Sequence, residues 1–306
     1  MGKRVAVVLS GCGPGDGSEI REAVLALLSL ERAGCDVVFA APDVAQAQVF
    51  DHARAAVDSA APTRRVLAES ARIARGKIRA LADLQVADFD ALVFPGGGGV
   101  GTVLSNYAER GDHCDVLPDV SRLLKGALAA HRPMGLICLA PILAARVLGP
   151  VAGVHLTLGP RGTAASKHAA VMGADVRPCP ANDIFIDRKN RVVSTPAYMY
   201  DDAKLTEVAQ AIEKLVRTVL QLTRSDRAVF DQTRPTARPG DRRPGDNRPG
   251  NNNRPGNNGR PGNNGRVANN QPAAAPAPGG AVGGAGAPVL RRPGGSPAPT
   301  RGPGSA

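Results

Sequence analysis

One cysteine directly follows a short apolar run, a position in which a reactive side chain can be held. Met134, Gly135, Leu136 and Ile137 form the pattern of a buried strand, and Cys138 follows at once. A thiol at an abrupt strand-to-helix turn faces the amides and the positive dipole end of the next helix, which favour thiolate over thiol. The arrangement matches the nucleophile elbow of α/β hydrolases with sulfur in place of oxygen. The sequence therefore predicts Cys138 as a nucleophile with a lowered pKa.

Two further loops are expected at the same sheet edge, after the first strand and after the strand at 91–94. The glycines at 96–98 allow a ligand to approach the backbone closely, so the amides of Gly96 and Gly97, together with that of Leu139, are predicted to form an oxyanion hole. Glu19, in the first loop, is the predicted proton shuttle.

The elements that position these residues alternate along the chain. Strand patterns occur at 3–9, 35–41, 91–94, 134–137 and 154–158, with a hairpin at 184–187 and 192–195. Helical patterns occur at 18–33, 63–79, 119–131, 139–148, 164–172 and 202–222. This alternation predicts a three-layer α/β sandwich with a mostly parallel sheet and a site at the carboxyl ends of its strands.

Each of these signals also has a structural interpretation. A cysteine after an apolar strand is more often a packing residue, a glutamate in a first helical turn complements the dipole, and glycines form turns. Two phosphate-binding interpretations are weak. The glycines at 11–15 with Asp43 imitate a dinucleotide fingerprint, but Pro14 and the long loop interrupt it. The stretch 96–102 resembles a P-loop without its lysine. We therefore expect no cofactor.

The five cysteines (Cys12, Cys35, Cys114, Cys138 and Cys179) contain no C-x-x-C pair, so neither a metal site nor a redox dithiol is predicted. Their odd number favours a reducing compartment. The N-terminal apolar run ends at Ser10, too short for a secretory signal, and no apolar stretch approaches the roughly 20 residues that span a bilayer. A cytoplasmic protein without a membrane span is expected.

Composition divides the chain after residue 223. The segment 224–306 carries 13 Arg, no Lys and four Asp, so nine of the eleven net positive charges lie there. From Arg238 it repeats RPGDR, RPGDN, RPGNNN, RPGNNG and RPGNNG. With six Val, Leu or Phe residues in 83, it is predicted to be disordered, and residues 1–223 to form the folded domain. Evenly spaced arginines suit weak binding to nucleic acid or another anionic surface, and a solubilising extension without a partner is the alternative.

Several segments together resemble a known family. LSGCGPGDGSEIREAVL, FPGGGGVGTVLSNYA, GLICLAP, PCPANDI and STPAYM occur in this order. They resemble the ElbB-type glyoxalases of the PfpI (DJ-one) superfamily, which have a class I glutamine amidotransferase-like fold. The resemblance implies a flavodoxin-like domain that forms a homodimer, with Cys138 as the elbow cysteine and Glu19 as its acidic partner. It also implies a glyoxalase that needs neither cofactor nor glutathione and hydrates methylglyoxal or glyoxal to a hydroxy acid.

One departure from the superfamily pattern affects the predicted chemistry. Many members place a histidine immediately after the elbow cysteine, whereas this chain has Leu139, which disfavours protease activity. His155 is a candidate substitute, and Cys12 and Cys179 lie near the family motifs as candidate accessory thiols. The alternative function is a non-enzymatic redox sensor or stress-response protein of the same fold, in which the thiolate of Cys138 is oxidised.

Overall fold

The computed structural model describes residues 2–233. A seven-stranded sheet forms its centre, and two small two-stranded sheets lie outside it. The strands are β1 (Arg4–Val8), β2 (Asp36–Ala41), β3 (Phe50–Asp51), β4 (Ala56–Val57), β5 (Ile78–Ala80), β6 (Ala91–Phe94), β7 (Met134–Ile137), β8 (His155–Leu156), β9 (Asp175–Val176), β10 (Phe185–Asp187) and β11 (Val192–Thr195).

The central sheet has the order β10-β11-β7-β6-β1-β2-β5, and all its pairings are parallel except that of β10 with β11. From β1 the chain moves first to one side, through β2 and β5, and then to the other, through β6, β7 and β11. The order therefore reverses between β1 and β6. In open α/β sheets, the crevice at the carboxyl ends of such strands is the usual place for a binding site.

In residues 2–233, eight α-helices connect and cover the strands. They are α1 (Ile20–Arg32), α2 (Val66–Ile73), α3 (Gly99–Thr102), α4 (Tyr107–Arg110), α5 (Pro118–Ala129), α6 (Pro141–Ala152), α7 (Ala164–Val171) and α8 (Leu205–Thr233). Short 3₁₀ turns occupy Leu81–Asp83, Val86–Asp88, Gly111–His113 and Ala197–Met199. Helices α1 and α8 pack on each other, and α8 also contacts β6, β7 and β11.

Burial explains why the strands read as continuous apolar runs. All four residues of β6 and of β7 are buried, as are the last four of β1. Strands covered on both faces need no polar alternation. The flavodoxin-like α/β fold with a mostly parallel sheet is confirmed.

Two predicted boundaries need correction. The helix predicted at 63–79 ends at Ile73, because Arg75 and Gly76 adopt positive φ, and the chain then forms the edge strand β5. The helix predicted at 202–222 spans Leu205–Thr233. The predicted tail beyond residue 233 lies outside the described residues. Among the helices described, none is long and apolar enough to cross a membrane.

Candidate functional site

The thiol of Cys138 lies at the carboxyl edge of the sheet, as expected for an elbow. Cys138 has φ 59°, a left-handed conformation that residues other than glycine seldom adopt. Its amide donates to the carbonyl of Thr195 over 2.9 Å, which extends the pairing of β7 with β11 by one residue. The residue is only 8% exposed. The site is therefore sterically restrictive.

The acidic partner at this thiol is Glu22, in the first turn of α1. Its side chain is completely buried and hydrogen-bonds with the thiol of Cys138. Oε2 accepts the amide of Gly96 over 2.8 Å, and the amide of Tyr198 also donates to the carboxyl. Four neighbouring strands, β1, β6, β7 and β11, thus each lead into a segment that contributes one group to the site.

The glycine loop after β6 is the surface on which the thiol and the carboxyl meet. A Cβ on Gly96 would lie 2.4 Å from Cβ of Cys138 and 2.7 Å from Oε2 of Glu22. Gly97 has φ 103°, and its Cα packs so tightly on the backbone of Ser18 and Glu19 that no side chain fits there. The glycines are therefore needed for close approach between two loops.

Electrostatics make the thiol and the carboxyl weak acids. Burial raises the pKa of Glu22 to about 8, and the charge of Glu19 acts in the same direction. Burial also raises the pKa of Cys138 well above its usual value, and Glu22 adds to this shift. The amides of Gly97 and Leu139 hydrogen-bond to the sulfur and oppose it. The predicted lowering of the Cys138 pKa is thus wrong, because burial and a neighbouring acid outweigh the amides.

Glu19 occupies a different position from the one expected for the proton shuttle. It is the N-cap residue of α1, and its Oε2 accepts the amide of Glu22 over 2.6 Å. Its own amide donates to the carbonyl of Gly96 over 2.9 Å. Burial raises the pKa of the Glu19 carboxyl, although the hydrogen bond from the Glu22 amide opposes the change. The structure therefore places Glu22, rather than Glu19, against the thiol.

The amides predicted to form an oxyanion hole have different hydrogen-bond partners. Those of Gly97 and Leu139 point to the sulfur, as expected for donors at a reacting centre. The amide of Gly96 is occupied by Glu22, and that of Gly98 by the carbonyl of Pro14 over 2.7 Å. The prediction for Gly96 is corrected accordingly, because its amide anchors the acid.

His155 lies at the opposite edge of the sheet from the thiol. The amide of His155 donates to Oδ2 of Asp187. In the sheet, Asp187 pairs with Val192, and Val192 pairs with Met134 at the start of β7. Cys138 follows the end of β7, and four residues at about 3.3 Å each separate the two levels by roughly 13 Å. The imidazole is half exposed, 3.6 Å from Asp175. The structure does not bring His155 to the site.

Each of the other two candidate thiols has a raised pKa. Cys12 is partly buried in the loop after β1, and burial, followed by the charge of Glu69, raises its pKa. Burial and the charge of Asp183 raise the pKa of Cys179 to about 11. No contact joins either thiol to Cys138 among the described residues.

Two residues of the site were not predicted from the sequence. Glu22 lies on the buried stripe of α1 with Ala26 and Leu30, at four-residue spacing, so an acidic residue on a core-facing stripe was the available signal. Tyr198 follows Ala197, whose φ of 45° is left-handed. Nothing in an alanine predicts this conformation.

A metal site has little support in the part of the chain that the structure describes. No group of three or more His, Cys, Asp or Glu side chains there has a metal-binding arrangement.

Known proteins are similar to this chain over most of its length. It is 43% identical over 228 residues to the rat ES1 protein homolog, mitochondrial, covering 72% of this chain and 84% of that protein. It is 44% identical over 228 residues to human glutamine amidotransferase-like class 1 domain-containing protein 3, mitochondrial, covering 72% and 83%. The chain belongs to the ES1 family. No family model matches it.

A solved structure extends the likeness of this ES1-family chain to three dimensions. The crystal structure of an isoprenoid biosynthesis protein with an amidotransferase-like domain from Ehrlichia chaffeensis is 34% identical, with a TM-score of 0.67. The match covers 72% of this chain and 99% of that chain. The predicted amidotransferase-like fold is confirmed, and the names of these relatives do not mention a glyoxalase.

The predicted cytoplasmic location is wrong when set against these relatives. The rat, human and zebrafish ES1 relatives are all named as mitochondrial proteins. The criteria of a secretory signal and a membrane span do not distinguish the cytoplasm from the inside of a mitochondrion.

Proposed function

We propose that this ES1-family chain is a cofactor-independent and glutathione-independent glyoxalase that converts methylglyoxal or glyoxal to a 2-hydroxy acid. The nucleophile is Cys138, and Glu22 is the acid and base. The observation that carries the proposal is the buried carboxyl of Glu22 at the thiol, with its pKa raised to about 8. A carboxyl tuned toward neutral pH exchanges protons efficiently in both directions.

The first step joins the thiol to the aldehyde. The carboxylate form of Glu22 takes the thiol proton while sulfur attacks the aldehyde carbon, and the carbonyl oxygen then receives that proton. The product is a hemithioacetal on Cys138. The amides of Gly97 and Leu139 face the sulfur, and they stabilise the negative charge that develops on the sulfur as the thiol loses its proton.

An internal proton transfer follows, without an external oxidant. Glu22 removes the hydrogen of the former aldehyde carbon, which gives an enediolate, and returns a proton to the neighbouring carbon. The proton of the first hydroxyl passes to the second oxygen, so a 2-hydroxy thioester remains on Cys138. Water then adds to the thioester with Glu22 as base, and the proton returns to the departing sulfur. The sum is one 2-oxoaldehyde and one water in, and one hydroxy acid out.

Limited access favours a small substrate. With Cys138 8% exposed, a three-carbon aldehyde suits the site better than a peptide carbonyl. The same burial argues against the redox sensor, which needs an accessible thiol of low pKa.

The test is incubation of the purified protein with methylglyoxal, without cofactor or glutathione, followed by assay of lactate. We expect turnover in the wild type and none in Cys138→Ser, because a serine hydroxyl is not appreciably ionised without a stronger base. Circular dichroism of Cys138→Ser checks that the fold is intact. Stoichiometric thiol loss without lactate would instead favour the sensor.

We infer a homodimer from a row of exposed apolar side chains on α1. Ile20, Val24 and Leu28 recur at four-residue spacing and are 41%, 46% and 38% exposed. Val24→Asp should give a monomer in light scattering, whereas Val171→Asp, on the exposed face of α7, should not. A wild-type monomer contradicts the inference.

A further inference from the structure

The proposed proton transfer requires Glu22 to be held at one angle and to be a stronger base than an ordinary carboxylate. Two contacts fix its geometry. Oε2 accepts the Gly96 amide over 2.8 Å, and the backbone amide of Glu22 donates to Oε2 of Glu19 over 2.6 Å. Oε1 is buried and has no hydrogen-bond partner among the described residues.

Glu19 is tied to the same loop as Glu22. Its amide donates to the Gly96 carbonyl, whose residue in turn donates its amide to Glu22. The N-cap hydrogen bond satisfies a backbone donor that the first turn of α1 would otherwise leave free. Gly96 thus holds the carboxyl of Glu22, and Glu19 holds its backbone amide.

The groups that face Glu22 come from four segments. Glu19 precedes it at the start of α1, Cys138 faces it after β7, and the amides of Gly96 and Tyr198 face it after β6 and β11. Glu19 is the carboxylate whose charge raises the pKa of Glu22. Arg21, the nearest cation in the sequence, is directed elsewhere, with Nη1 3.4 Å from the Tyr198 hydroxyl and its guanidinium 5.9 Å from that ring.

We propose that Glu19 is a positioning residue for Glu22, which holds the first turn of α1 through the N-cap hydrogen bond and, through its negative charge, makes the Glu22 carboxyl a stronger base. This role rests on the proposed function for its purpose, but its physical content is independent of turnover. A like charge within a few ångströms disfavours ionisation of a second carboxyl. Burial is the first cause of the raised pKa of Glu22, and the negative charge of Glu19 is the second.

The experiment follows Glu22 itself, by infrared difference spectroscopy of its protonated carboxyl during a pH titration. Loss of the band in Glu22→Gln assigns it. Glu19→Gln keeps a side-chain oxygen for the N-cap bond and removes the charge, so the Glu22 titration should move to lower pH by about 1–2 units. Glu19→Asp keeps both charge and cap, and should titrate close to the wild type. Glu31→Gln removes an equal charge from the exposed end of α1 and is the matched control.

The outcomes separate the two proposals. A shift in Glu19→Gln that is absent from Glu31→Gln supports the role of Glu19, even if the wild type forms no lactate and the glyoxalase proposal fails. An unchanged titration in Glu19→Gln, or an equal shift in Glu31→Gln, overturns it. Where the wild type does turn over methylglyoxal, the pH dependence of kcat should shift in the same direction as the infrared titration.

Discussion

The amide of Gly96 donates to Oε2 of Glu22 over 2.8 Å, so the glycine loop after β6 binds the acid of the site. The backbone amides of the site therefore have different hydrogen-bond partners. Gly96 fixes the carboxyl, while Gly97 and Leu139 face the sulfur. Under the proposed function, these contacts hold the acid and the nucleophile as the preorganised pair that proton transfer between neighbouring carbons requires.

Replacing Glu22 by Gln should separate aldehyde capture from proton transfer. Gln removes the charge that raises the Cys138 pKa, so sulfur can still add to methylglyoxal, but no base remains for the hydrogen on carbon. We expect kcat to fall by about 10²–10⁴-fold. Mass spectrometry should then find the methylglyoxal adduct on the Cys138 peptide. Turnover at the wild-type rate would show that Glu22 is not the base.

Glu22 should also make stability depend on pH. The folded carboxyl keeps its proton up to about pH 8, whereas its ordinary pKa is 4.5. Between these values the folded state binds more protons than the unfolded state, so the free energy of unfolding falls as pH rises, by about 1.4 kcal/mol per pH unit. The stabilisation is complete below pH 4.5 and is lost as pH passes through 8.

Urea unfolding at pH 5 and at pH 8 measures this effect. Glu22→Gln cannot titrate at this position, so its loss of stability between the two pH values should be smaller than that of the wild type. Equal losses in both proteins would mean that Glu22 is ionised in the folded state at pH 5.

The fold and the position of Cys138 directly after a buried strand could be predicted from the sequence, whereas the contact of Glu22 with the thiol could not. The runs that became β6 and β7 are uninterrupted because both faces are covered, and Cys138 follows β7 with no intervening residue. Glu19 and Glu22 share one helical turn, and choosing between them requires the direction in which α1 faces the sheet. The pKa of Cys138 also depends on burial, which comes from packing across four strands rather than from the local helix terminus.

His155→Ala should leave turnover of methylglyoxal unchanged. The imidazole lies at the end of the sheet opposite Cys138, and its contact with Asp175 is half exposed, so its loss should cost about 1 kcal/mol or less. Steady-state kinetics and thermal unfolding check both statements. A large fall in kcat at unchanged stability would bring His155 back as a candidate for the site.

Removal of residues 234–306 should leave folding and turnover intact while weakening retention on heparin. This segment carries eleven Arg and two Asp, and counterion release makes such binding fall steeply with salt. The truncation is placed after Thr233 because an earlier cut would shorten α8. Elution of both proteins at the same salt concentration would favour a solubilising extension without an anionic partner.

The sharpest structural prediction concerns Gly96→Ala. The new Cβ would lie 2.4 Å from Cβ of Cys138 and 2.7 Å from Oε2 of Glu22, so the loop must move away from the elbow. We expect a loss of stability of about 1–3 kcal/mol from overpacking, together with loss of turnover. Gly101→Ala is the matched control, since the nearest atom to its Cβ would be 3.4 Å away and it lies within α3. An active Gly96→Ala protein would show that the thiol and the carboxyl do not need the contact with this loop.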